Sequence, residues 1–289
     1  MIFNLFGRLV QFALMFATIR VMTTLLEPQQ YGLLSLYLSV NLLFGFVFIN
    51  PVGTFINRHL VVWKSEGGLV SKFWLFLPYW FFVACLSLLT LLLLRYFEVS
   101  FVGESLLALL TCSLLVFSST LFNTLVPSLN LLGYDKPFVL LTVLGSLLIL
   151  ALSSLFVSFA NGSAEGWLAG MVIAQLLVVA VCVYVYRRLG FRALDSQPEK
   201  VHLVLMKSII PFAWPVLVYT GLGWLTFQSY RFIVEDSFSL IQLGLMVAGY
   251  SVAIQILAAT EQIANTWFLP RFYAACDSDN KSENLQASA

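Results

Sequence analysis

Eight stretches of roughly 20 mostly apolar residues decide the solvent in which this chain must fold. They lie at about 3–26, 33–53, 73–94, 105–126, 138–160, 167–186, 208–227 and 243–264. The third, FWLFLPYWFFVACLSLLTLLLL, contains no charge at all. A continuous helix bonds its own backbone N–H and C=O groups, so each window reads as a spanning helix in hydrocarbon. Charged residues are 10% of the chain, against roughly 25% in a soluble domain, and mean hydropathy is +0.93. The expected fold class is an all-α polytopic membrane protein with about eight transmembrane helices. No long polar stretch remains for a soluble catalytic domain.

The loops predict an orientation. Arg58, Lys64, Lys72, Lys136, Arg187, Arg188, Arg192, Lys200, Lys207, Arg271 and Lys281 fall on one side, and only Arg95 on the other. Cytoplasmic loops carry such an excess, so both termini are expected in the cytoplasm. Loops on the opposite side (27–31, 95–104, 161–165 and 234–240) are too short to hold a folded domain. The N-terminus lacks a small-residue cleavage pattern and does not read as a cleavable signal. Cys85, Cys112 and Cys182 lie within apolar runs and Cys276 in a polar tail, with no disulfide or metal spacing. His59 and His202 have no ligand partner at metal spacing, and no metal or cofactor is expected. The longest loop, 187–207, is basic and mixes Pro, Ser and charge like a linker. It divides the chain into a six-helix lobe at 1–200, two helices of a second lobe at 201–270, and a polar cytoplasmic tail at 271–289.

Ionisable groups inside spans are costly and point to function. Arg20 lies about six residues, or roughly 9 Å, from the outer end of the first window. It can snorkel to the headgroups or face a cavity, and Glu27 shares its face if the helix continues that far. Arg231 occupies a similar place at the end of the seventh window, about 211 residues later. In each case a short loop with a carboxylate follows, then a Gly-Leu-rich helix start at Gly32 or Gly244. Two arginines so placed suggest an anion site between two membrane repeats. Arg58, in Asn57-Arg58-His59, reads either as a cytoplasmic anchor or as part of that site. Glu261 is the carboxylate inside an apolar run; it can pair with a base, act in an ion or proton relay, or mark a helix end. Gln11, Asn41, Asn50, Asn123, Gln175 and Gln255 are expected to bond across helices or line a cavity. Two prolines and two glycines in PFAWPVLVYTGLG mark the seventh span as a hinge. Walker, dinucleotide and nucleophile-elbow motifs are absent from the sequence, and the chain is not expected to be an enzyme.

Several short elements resemble the polysaccharide flippases of the multidrug/oligosaccharidyl-lipid/polysaccharide exporter superfamily. They are Leu26-Glu-Pro-Gln-Gln-Tyr-Gly32-Leu-Leu-Ser-Leu-Tyr after the first span, Asn57-Arg58, Leu132-Gly133-Tyr134, and Ser208-Ile-Ile-Pro211 through Tyr230-Arg231-Phe232. The resemblance covers essentially the whole chain in order. It implies flipping of an oligosaccharide unit linked to undecaprenyl pyrophosphate across the bacterial inner membrane, for O-antigen or capsule biosynthesis. It also implies two six-helix lobes rocking about a central cavity. By position, Arg20 and Arg231, and with them Arg58, are carried over as pyrophosphate ligands, since guanidinium binds phosphate bidentately. The implied partners are the lipid-linked oligosaccharide, the bilayer and other polysaccharide-assembly membrane proteins, with no nucleic acid. The chain departs from the family in having Tyr230 where Asp commonly precedes the arginine. It also supplies six helices plus two, where a complete second lobe needs roughly 410–420 residues. A truncated, inactive product is therefore one expectation. The others are a drug/cation antiporter, which would use cavity carboxylates such as Glu261, and a membrane polysaccharide polymerase, for which the external loops are short.

Overall fold

A computed structural model describes residues 2–65, 69–99, 102, 105–191 and 198–276. Its regular elements are all helical: α1 (Ile2–Leu25), α2 (Pro28–Phe44), a π-helical turn (Gly45–Ile49), α3 (Asn50–Ser65), α4 (Leu69–Tyr96), α5 (Leu106–Leu131), α6 (Asp135–Phe159), α7 (Ala164–Arg188), α8 (Pro198–Gln228), α9 (Tyr230–Ser237) and α10 (Leu240–Cys276). Eight helical stretches among the described residues are long and apolar enough to cross a membrane. The chain is an all-α polytopic membrane protein.

Local chemistry sets the helix starts. Pro28 opens α2, where its missing N–H costs nothing. The Ser105 and Ser163 hydroxyls accept from the N–H groups of Ala108 and Gly166, which would otherwise lack partners. Successive helices alternate direction. The α6–α7 turn meets the α1–α2 turn through Ala164 N–H donating to Gln30 Oε1 at 3.0 Å. At the other end of the bundle, Lys64 Nζ donates to the Leu132 carbonyl at 3.2 Å. That second end gathers Lys64, Lys72, Lys136, Arg187 and Arg188 and is called the basic end below.

Four boundaries differ from the sequence reading; α10 runs to Cys276, past the tail boundary expected at 271. The second span, expected at 33–53, is one helical path, Pro28–Ser65, of 38 residues. The loop expected at 234–240 is largely helix, because α9 runs to Ser237. The linker expected at 187–207 is helical from Pro198 onward, so the lobe boundary near 200 falls in the first turn of α8. In each case polar residues lengthen a helix past the apolar window, since backbone bonding needs no apolar side chain. Residues 192–197 of that linker and 277–289 of the polar tail lie outside the described residues.

Within the first six-helix lobe α5 is the central helix, and its buried face is rich in small hydroxyl residues. Thr111, Ser113, Thr120 and Ser128 return their hydroxyls to carbonyls three or four positions back. Such small, self-satisfied side chains let membrane helices approach closely. Polar pairs tie neighbours together: Ser118 donates to Gln175 Oε1 at 2.7 Å, and Asn41 Nδ2 to Ser119 Oγ at 3.4 Å.

Helices α8, α9 and α10 pack on α1, α2 and α3. Their closest approach is glycine-mediated. A Cβ on Gly32 would collide with the carbonyl oxygen of Leu240, and one on Gly244 with that of Pro28. Gly32 and Gly244 are 212 residues apart, and so are Pro28 and Leu240. The two contacts are reciprocal, as in an isologous crossing. Replacing Gly244 by Leu is expected to destabilise the chain by about 3 kcal/mol through overpacking against backbone. Gly249→Ala, where a Cβ meets open space, is expected to be neutral or slightly stabilising. Thermal unfolding in detergent measures both.

Candidate functional site

The interface that α8, α9 and α10 make with the preceding helices is built largely on α2, the π-helical turn and α3. The turn has a sequence cause. Asn50 N–H bonds the Gly45 carbonyl, five residues back. In that register the next donor would be Pro51, which has no N–H, so the Phe46 carbonyl loses its partner within the helix. Thr220 of α8 fills the vacancy, its hydroxyl donating to the Phe46 oxygen at 2.5 Å. Tyr79 of α4 donates to the adjacent Phe48 carbonyl at 2.7 Å. A proline-induced break in one lobe is thus bonded by a side chain of the other.

The same edge of α2 continues as a polar ladder. Trp224 Nε1 donates to the Ser39 carbonyl at 2.9 Å, and Ser39 Oγ lies 3.4 Å from Gln228 Oε1. Arg231, at the start of α9, completes it. Its Nη1 donates to the Ser35 carbonyl at 3.1 Å and to Ser39 Oγ at 3.0 Å. Its Nε reaches Tyr230 Oη at 3.4 Å. At 9% exposure it is a buried cation, neutralised by dipoles; no carboxylate among the described residues pairs with it. From α10, Ser251 Oγ lies 3.2 Å from Tyr31 Oη.

The other sequence-predicted residues sit elsewhere. Arg20 is exposed on α1, five positions before its last residue. The helix stops at Leu25, and Glu27 stands in extended conformation before α2, so no helical face joins Arg20 to Glu27. At the 212-residue offset of Gly32 and Gly244, Arg20 lines up with Phe232 and not with Arg231. One residue is a rotation of about 100° on a helix, which accounts for the different surroundings of the two arginines. Arg58 is exposed on α3 at the contact with α8, over the Phe212 ring at 5.8 Å. Ser35 and Arg58 are 23 positions apart, about 35 Å along the helical path, so Arg231 and Arg58 serve opposite ends of the interface. Glu261 is exposed on α10; the side chains of Gln262 and Asn265 lie outside the described residues.

Sequence reasoning missed the hydroxyls of Ser35, Ser39 and Thr220, which carry much of the ladder. The available signals were the Ser35–Ser39 spacing, which puts both on one helical face, and a proline six residues after Gly45. Comparison with protein-family models, curated proteins and solved structures finds no match to this chain.

Replacing Arg231 by Ala should lower stability by about 2 kcal/mol, because charged hydrogen bonds are lost and Ser39 loses its donor. Arg20→Ala should stay within about 0.5 kcal/mol, as for exposed positions in general. The difference in melting temperature between the two purified variants checks the assignment.

Proposed function

We propose that this chain forms part of a transporter moving a lipid-linked oligosaccharide across the bacterial inner membrane, for surface polysaccharide biosynthesis. The observation that carries this reading is the reciprocal Gly32–Gly244 crossing. Parallel repeats related by an axis along the membrane normal are a transporter architecture in which the two halves rock about a site between them. The crossing lies toward the end opposite the basic one. With the basic end in the cytoplasm, both termini are cytoplasmic, and the helices close against each other on the periplasmic side.

The cations at the interface favour an anionic cargo. Arg231 offers a permanently charged guanidinium toward one end and Arg58 toward the other. Their separation of about 35 Å along the helix is too long for one pyrophosphate. Arg58, exposed at the basic end, acts at cytoplasmic entry, and Arg231, engaged in the ladder, meets cargo only when the ladder opens, with Arg20 on the outer flank. Undecaprenyl pyrophosphate carries both the phosphates that arginine binds bidentately and an isoprenoid tail that remains in lipid. The chain acts without covalent chemistry and needs no cofactor. A drug/cation antiporter would instead place a carboxylate between the lobes. Glu261, the carboxylate of the eighth span, is exposed at a distance from the arginine ladder.

The test is complementation of a bacterial host lacking its own polysaccharide flippase. The expected outcome is restored surface polysaccharide, reduced several-fold by Arg58→Ala and Arg20→Ala at equal membrane abundance. Polysaccharide unchanged by both substitutions would overturn the anion-site reading. Drug resistance sensitive to Glu261→Gln would establish the antiporter in its place.

A further inference from the structure

A second site lies on the opposite face of the first lobe. Helices α4 and α7 each pack on α5 but splay away from each other, while α8, α9 and α10 pack on α1, α2 and α3. Between α4 and α7, over the surface of α5, runs a groove of about 520 Å³. That volume is in the range of small-molecule sites, roughly 300–1,000 Å³. Its walls are almost wholly apolar, among them Phe73, Trp74 and Leu77 from α4, Leu125 from α5, and Val179 and Val183 from α7.

The groove is held open by its own framework. Tyr186, at its end, is buried, with its hydroxyl 2.6 Å from Ser128 Oγ and donating to the Leu125 carbonyl at 3.1 Å. The Tyr186 ring packs edge-on to Phe73 at 6.1 Å and against Phe191 at 5.7 Å. These contacts fix the floor before anything binds. An apolar groove of this size does not hold ordered water, which needs polar partners; in a bilayer the available filler is an acyl chain.

The mouth is cationic. Arg187 lines it and is exposed. Its neighbour Arg188 is occupied, with Nε donating to Tyr184 Oη at 2.7 Å. Among the described residues, no carboxylate lines the groove. Basic pockets between membrane helices on the cytoplasmic side bind anionic headgroups, and guanidinium is suited to phosphate.

We infer that this groove binds a bilayer phospholipid with a net anionic headgroup, its chain lying between α4 and α7 and its phosphate on Arg187. The site is separate from the interface between the lobes and does not depend on what is transported there. Trp74, 57% exposed, covers the open side of the groove against the surrounding lipid.

Native mass spectrometry of the full chain released from phosphatidylcholine nanodiscs doped with phosphatidylglycerol of matched chains tests this. Wild type should retain one phosphatidylglycerol with a several-fold preference over phosphatidylcholine. Arg187→Glu should remove the preference, and Arg95→Glu, at the other end of the bundle, should leave it intact. Val183→Phe, which fills the groove, should reduce retention of both lipids. No preference in wild type, or an equal preference in Arg187→Glu, would overturn the proposal. Displacement of phosphatidylglycerol by equimolar undecaprenyl phosphate would also overturn it, reassigning the groove to a polyprenyl chain.

Discussion

Backbone carbonyls of one helical path, α2 through α3, hold α8 and α9 in place. In hydrocarbon no water can satisfy a freed C=O, so every break in a helix must be repaired by a neighbour. Pro51 frees the Phe46 carbonyl, and Thr220 of the second lobe repairs it. The ladder then climbs α2 through Ser39 and Ser35 to Arg231. Without this polar edge, α8 and α9 would meet α2 only through side chains as apolar as the lipid tails. Lipid supplies no hydrophobic drive to hold them there.

The ladder is modest in strength. Hydrogen bonds between membrane helices average about 0.6 kcal/mol. Five of them (Thr220 to Phe46, Trp224 to Ser39, two from Arg231, and the Tyr31–Ser251 pair) sum to about 3 kcal/mol on that scale. That is enough to set a preferred arrangement and small enough for a bound ligand to shift. The glycine crossing adds close backbone packing at one end, where Pro28 and Leu240 carbonyls face Gly244 and Gly32. Its reciprocity matters more than its energy. Each glycine meets the carbonyl four residues before the other glycine, so the two contacts mirror each other across the crossing.

Much of the architecture was legible in the sequence. The apolar windows located all eight spans, and the glycines singled out at 32 and 244 proved to be partners. The second span was read too short because Asn57, Arg58, His59 and Lys64 end its apolar run, although backbone bonding carries the helix to Ser65. Glu235 and Asp236 hid the helicity of α9 in the same way. Of the candidate residues, Arg231 and Arg58 lie against the interface between the lobes, and Arg20 and Glu261 are exposed. The groove between α4 and α7 escaped notice because its residues look like ordinary lipid-facing apolar positions. Phe73-Trp74 and Tyr186-Arg187, which meet at one end of it, are 113 positions apart in the chain.

Determined by the sequence alone are the number of spans, their alternation and the concentration of Lys and Arg at one end. These are properties of 20-residue windows and of charge in short loops, and no long-range contact can reverse them. Which face of each helix meets which neighbour was decided only by the tertiary structure. On a helix one residue turns a side chain by about 100°, so an offset of 212 rather than 211 is enough to part the two arginines. Arg231 came to point into the α2 ladder and Arg20 away from it.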